Sequence, residues 1–539
     1  MTALPDFRLS RWAPLAALLT TSVLLTACGS GGDDSGSGSG QAKSGGTLTF
    51  AVGSDAGCVD PQQSGSNESI YSVRQTVDSL TDQDPETGKI VPWLAKSWDI
   101  DSKATTFTFH LRSGVTFSDG SELTAQVVKD NFDAVPKLGA LGTLAQGYLS
   151  GVKSTTVVDP LTVKVTFKEP NAQFLQATST HTLGIESSAS VKKTPQQKCS
   201  DGAIGSGPFV LKQYVQNQSI TLVKRTGYDW GSSLWSQKGE AYLDKLVFKV
   251  VPEAGVRAGS LQSGQVDVIS SVGKANEAAL KGGQVTLQRR ANPGVVFGLG
   301  LNNSRPALKD TKVRQAILSA IDRQQIADTV FPTGTQPATS VLAHTTPDYT
   351  NLASDLAFDA ARAKSLLDAA GWKAGSDGIR TKDDKKLSLT ITWFPNSATN
   401  QPALELVQQQ LKVVGVDVVL KQLQVSQFST TLQSGDFDVV WGNVTRSDPD
   451  ILRSSFSTQL ANFYHLSASS LDTALSAQAA TTDTAKRKQL VGEAQKLLVQ
   501  NAYYAPVVEL QTQLGVSKKV HDLDFDSGSR IQLHDTWIG

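Results

Sequence analysis

The sequence predicts an α/β protein of two or three packed units, and three observations carry that reading. The chain has 539 residues, more than one hydrophobic core usually holds. Its second half alternates strand and helix patterns: 387–393, 416–421 and 437–441 read as strands, and 402–414 reads as a helix ended by Gly415. The stretch 107–132, FTFHLRSGVTFSDGSELTAQVVKDNF, is a complete β-turn-α unit. There Phe107, Phe109 and Leu111 alternate with Thr108, His110 and Arg112, the period of a half-buried strand. Ser118-Asp119-Gly120 is turn chemistry, and Thr124 can cap a helix that puts Ala125, Val128 and Phe132 on one face.

Earlier in the chain, 47–52 (TLTFAV) alternates and reads as the first strand, followed by a turn-rich loop at 53–61. Residues 70–80 read as a helix and 161–167 as a strand, and a helix begins near Asn171. Strands follow within 210–224 and at 246–251 and 266–269, with a helix at 254–262 ended by Gly264. Asp310 caps a helix carrying Val313, Ala316, Ile317, Ala320 and Ile321 on one face. Arg314, Asp322 and Arg323 read as a structural ion-pair cluster at the helix ends. Asp359 caps another helix, with Gly371 at its C′ position and Trp372 making the contact after it.

Lys+Arg and Asp+Glu are equal at 50 each, so no basic field is present to draw nucleic acid or an anionic membrane. The N-terminus reads as an export signal over 1–27. Arg8 and Arg11 precede an apolar run from Ala13 to Ala27, too short to span a bilayer comfortably. It ends in Leu25-Thr26-Ala27-Cys28, which looks like a lipobox, with cleavage before Cys28 and acylation of its thiol. Two acyl chains suffice for stable anchoring. Residues 28–46, rich in Gly and Ser, then form a flexible tether with an r.m.s. reach of roughly 20–25 Å. Cys58 and Cys199 remain, and an oxidising compartment favours their pairing.

Catalytic and metal signatures are missing. No G-x-S-x-G elbow or H-E-x-x-H occurs, and the six histidines are scattered. The chain is expected to be no enzyme and to need no metal or cofactor. A phosphate-cradling reading of Gly205-Ser206-Gly207 is set aside, because no Lys-Ser/Thr follows.

The residues of 107–132, with Pro92-Trp93-Leu94-Ala95 and Ser97-Trp98 before them, resemble the signature of family 5 extracytoplasmic solute-binding proteins. These are the oligopeptide-, dipeptide- and nickel-binding receptors of ABC importers. Gly205-Ser206-Gly207-Pro208-Phe209, the run LQSGQVDV, KDTKVRQAILSAIDRQQI, the run AKSLLDAAGW, and Tyr503-Tyr504-Ala505-Pro506 match the same family in order. The resemblance implies a large periplasmic-binding-protein-like fold: two lobes, an inserted domain and a hinged ligand cleft. Lobe I is expected from 47–84, 203–298 and 511–539, the inserted lobe from 85–202, and lobe III from 299–510.

It further implies capture of a peptide or similar small solute, delivered to ABC permease subunits and their ATPases by a monomer lipid-anchored on the outer face of the cell membrane. A ligand-sensing lipoprotein without transport, or a nickel/chelate- or sugar-binding member, stays open. The loop 441–450, WGNVTRSDPD, directly follows an apolar strand, where α/β sheets place ligand groups. In peptide-binding members an Asp of this loop holds the ligand's α-ammonium, which gives that role to Asp448. A second alignment puts the position near Thr445. Trp441, Asn443, Arg446, Trp393, Tyr504 and Ser54 complete the expected ligand-binding set, the aromatics as pocket walls.

Overall fold

The run TLTFAV forms the strand Thr47–Val52, whose Leu48, Phe50 and Val52 are buried. It is the middle of a seven-stranded sheet in the order 285–291, 511–517, 268–269, 47–52, 245–250, 219–224, 209–215. It pairs in parallel with Lys245–Val250 and Val268–Ile269, while the outer strands pair antiparallel. The structure, a computed structural model, describes residues 42–424 and 427–539. The export signal, Cys28 and the tether up to residue 41 lie outside the described residues. Among those described, no helix is long and apolar enough to cross a membrane.

A second lobe is built on a five-stranded sheet in the order 417–422, 388–393, 439–445, 294–301, 504–508. Its helices include Asn400–Val413, Thr311–Ser319 and Thr484–Gln500. Only two crossings join the two sheets directly. Val285–Ala291 and Gln511–Ser517 run antiparallel to the edge of the first sheet, with Ala291 opposite Gln511. The chain re-enters the second sheet at Gly294 and leaves it at Val508. The crossings are tied together: Asn292 N–H donates to Leu510 O at 2.7 Å and Thr512 Oγ1 donates to Asn292 Oδ1 at 2.8 Å. The expected lobe boundary near 298 therefore falls at 292–293. Gly294–Leu301 is one buried strand along its whole length and belongs to the second sheet.

The third part is a four-stranded antiparallel sheet in the order 95–100, 106–111, 162–167, 152–159. Phe107, Phe109 and Leu111 are buried and their neighbours half-buried, as period two requires. Phe174 collects Phe107, Phe109, Phe132 and Phe167 edge-on, at centroid distances of 4.8–6.2 Å. Thr124 caps the helix Ala125–Ala134.

Two expectations are corrected. The helix expected at 70–80 is Asn67–Val73 with one tight turn, Arg74–Thr76, and is extended beyond it. Gly205 and Gly207 press on that backbone: a Cβ on Gly205 would lie 1.9 Å from Thr76 O. Those glycines serve this close contact, made where the helix ends. Among the described residues Arg314 and Arg323 also form no ion pairs. Arg314 donates to the carbonyls of Leu308, Lys309 and Asn501, and Arg323 to those of Leu318, Ile321, Leu356 and Pro506. Asp322 caps a new helix, Arg323–Val330, rather than pairing with them.

Candidate functional site

Ser388–Trp393 and Val439–Thr445 lie side by side and parallel, with Ile391 opposite Val439. Their carboxyl ends open into two neighbouring loops, and such ends are where open α/β sheets gather ligand groups. The aromatics expected as pocket walls pack inward here. Trp441 is buried, stacks on Phe297 at 5.1 Å and donates its Nε1–H to Asn400 Oδ1 at 3.0 Å. The Tyr504 hydroxyl lies 2.8 Å from Val296 O and 2.7 Å from Gly442 O, so its single proton stays within the lobe. Trp393 is buried in the same core. Asn443 and Thr445 are half-buried at the strand end, and Ser54 is exposed in the loop after the first strand.

Asp448 meets a different partner from the one expected. Its Oδ2 accepts from Arg487 Nη1 at 3.0 Å and its Oδ1 from Nη2 at 2.6 Å, a two-pronged ion pair. Oδ1 also accepts the Asp450 N–H at 2.8 Å. Asp450 is held by Arg453 at 2.7 Å and by Gln478. A ligand ammonium at Asp448 would have to displace a buried guanidinium, and a bidentate charged pair is among the stronger polar contacts a protein makes.

Arg446, two residues earlier, has no such partner. Its backbone is fixed: the N–H donates to Pro293 O at 3.0 Å. Gly294, at φ +108°, lets the strands close up, since a Cβ there would meet Val444 O at 2.2 Å. The guanidinium carbon sits 4.6 Å from the centre of the Tyr148 ring, on the helix Thr143–Leu149 of the inserted part. Among the described residues its one side-chain hydrogen bond is a long one, Nη1 to Ser454 Oγ at 3.4 Å. Among the described residues no carboxylate pairs with it, whereas Arg453 and Arg487 each hold one.

The wall facing this loop is assembled from distant segments. A Cβ on Gly65 would touch Leu144 at 3.9 Å, and the ring of His181 lies 3.1 Å from Ser64 O through Nε2. Burial, with Arg530 nearby, pushes the His181 imidazole well below its ordinary value, so it is neutral and can donate to that carbonyl. The loop after the first strand is pinned to the helix Pro195–Asp201. A disulfide joins Cys58 to Cys199, with their Cα atoms 4.1 Å apart. Lys198 Nζ lies 3.3 Å from Asp60 Oδ2, 3.0 Å from Glu186 Oε2 and 2.8 Å from Gln62 Oε1. Burial and the Asp60 carboxylate push Glu186 up to about 8.

A cleft of about 1030 Å³ runs along the crossings. One wall carries Asp82, Trp235 and Asp524, and the other His344 and Glu509, with Arg290 on a crossing strand. None of the residues singled out from sequence lines it. Gln83 stands between this cleft and the 441–450 loop, its Nε2 3.4 Å from Ser447 O and its Oε1 buried with no partner among the described residues. Among the described residues no cluster suits a metal ion. Sequence reasoning missed Tyr148, His181, Gln83 and Arg487. The only signal near the first was the unassigned run GALGTLAQGYL, which carries no motif.

The description "Bacterial extracellular solute-binding proteins, family 5 Middle" matches residues 89–462. The glutathione-binding protein GsiB of Salmonella typhimurium is 26% identical over 475 residues, covering 86% of this chain and 88% of that protein. Two solved structures share the fold. NikA from Brucella suis, in complex with Fe(III)-EDTA, superposes with a TM-score of 0.79 at 24% identity, over 92% of this chain and 100% of that one. The dipeptide-binding protein from Pseudoalteromonas sp. SM9913, in complex with Met-Leu, gives 0.75 at 21%, over 92% and 100%.

Proposed function

Because the chain belongs to the bacterial extracellular solute-binding proteins of family 5, we propose that it captures a peptide or similar small solute between its lobes and passes it to the permease of an ABC importer. The observation that carries this reading is the geometry of the gap. Two sheets are joined by two short crossings, and side chains from both sides converge on one loop, Arg446 on Tyr148 and Gln83 on Ser447. Such a frame can close about its crossings on a ligand. The relatives support a small polar solute: one is a glutathione-binding protein and one holds Met-Leu.

The same reading places the protein outside the cell membrane, held by a lipid on Cys28 and free to reorient on the 28–46 tether. Cys28→Ser is then expected to abolish palmitate labelling and release the protein to the medium; unchanged labelling contradicts the anchor.

Capture is tested on the purified mature chain. Native mass spectrometry reads any co-purified solute, and calorimetry reads binding of glutathione and Met-Leu. Uptake of the solute that binds is then measured in cells with the gene deleted. Binding together with lost uptake is the expected result. A protein that carries and binds none of them, from cells whose uptake is intact, overturns the proposal.

A further inference from the structure

The loop 441–450 holds one charge that the protein leaves unanswered, and it is positive. Arg314 and Arg323 also lack a carboxylate, but each fills its donors with backbone carbonyls at 2.7–3.1 Å. Arg446 is mostly buried too, at 9% exposed against 4% and 5% for those two, yet among the described residues it offers only Nη1 to a hydroxyl at 3.4 Å. Its Nε and Nη2 have no acceptor among the described residues and are left to solvent or to a ligand. The edge it leaves free is Nε with Nη2, the side-on fork that matches a carboxylate with two parallel bonds. Gly147 keeps that edge clear: the position of a Cβ there is already only 3.5 Å from Nη2, and a longer side chain would crowd it.

The acidic groups that would select an amine at this place are absent or taken. Thr445 is uncharged, and Asp448 is filled by Arg487.

We propose that Arg446, seated on the Tyr148 ring, binds a carboxylate of the solute and latches the inserted part to the second lobe over it. The proposal rests on the solute-capture reading and adds the class of ligand group that this loop selects. The contact with the Tyr148 ring holds the guanidinium across the gap, so the fork is assembled when the two sides are together. Opening the gap separates Arg446 from its platform and loosens the carboxylate. Selectivity and closure are thereby coupled through one side chain.

The test uses the intact mature chain and its Arg446→Gln and Arg446→Lys variants. Glutathione and Met-Leu are each titrated as the free acid and with the carboxylates converted to carboxamides. For whichever compound binds, the free acid should bind the parent roughly thirtyfold or more tightly than its amide, as the loss of a partner in a buried charged bond implies. Arg446→Gln should bring acid and amide to within about threefold of each other, with the amide's own affinity little changed. Arg446→Lys keeps the charge without the fork and should fall between them, which also covers a Gln variant that fails to fold. Equal binding of acid and amide by the parent overturns the carboxylate clamp and leaves solute capture standing. If neither compound binds, the co-purified solute decides. A solute without a carboxylate, or equal occupancy in parent and Arg446→Gln, overturns the clamp.

Discussion

Residues 443–446 and 447–450 belong to one loop and treat charge in opposite ways. In the second half every charge is answered from within the lobe: Asp448 by Arg487, and Asp450 by Arg453 and Gln478. In the first half Arg446 reaches across to Tyr148 and finds a ring but no anion. The difference separates two jobs that look alike in sequence. A buried charge with a full set of partners holds the fold, and one with an open edge is available to a ligand. The Lys198 cluster is a second example of the answered kind. It sits on the same side as the disulfide and fixes the loop after the first strand.

The largest effect is expected where one cation serves two buried acids. Lys198→Met leaves the fully buried Asp60 carboxylate with no cation and the protonated Glu186 without its ammonium neighbour, and should cost about 3–5 kcal/mol by denaturant unfolding. A loss under about 1 kcal/mol would place the cluster among the dispensable charges. Asp448→Ala comes next, at about 3 kcal/mol, since Arg487 keeps Asp450 and Asp348 as weaker neighbours. Solute affinity measured well below the melting point should stay within about threefold of the parent. A large loss of affinity with unchanged stability would move Asp448 to the open half of the comparison.

Glu186→Gln is the smallest change and sharpens the comparison through pH. Burial and Asp60 raise Glu186 from 4.5 to about 8, so the folded protein keeps a proton there at neutral pH. The stability tied to that proton is complete below about pH 4.5 and is lost as pH rises toward 8. Gln mimics the protonated form, so the substitution should be nearly neutral at pH 5. It should gain on the parent as pH climbs to 8, in thermal melts across that range. A constant difference at all pH values would mean that Glu186 carries no folding-linked proton.

The fold was readable wherever a residue's local pattern decides its place. The strand of Phe107 and Phe109 and the caps Thr124, Asp310 and Asp359 form as their neighbours in sequence require. The helix expected to Leu80 stops early, where Gly205 and Gly207, well over a hundred residues away, lie close against the Thr76 backbone. The site divides in the same way. The 441–450 loop is legible from the strand that precedes it. The identity of its charged partners is not, since Arg487 and Tyr148 arrive from other elements with no mark of spacing or motif. The pocket role expected for Trp441 and Tyr504 meets the same limit: aromatic residues at strand ends serve as walls or as core, and here Asn400 and Gly442 O already engage their polar atoms.

The proposed division of roles is that the loop's unanswered charge reads the solute while its answered charge holds the structure. It is tested most directly by purifying the parent, Arg446→Gln and Asp448→Asn side by side, and measuring melting temperature and the occupancy of co-purified solute by native mass spectrometry. Arg446→Gln should melt within a few degrees of the parent but come away empty, and Asp448→Asn should melt lower but stay loaded. The reverse pattern, with Asp448→Asn empty at parental stability and Arg446→Gln loaded, would contradict it.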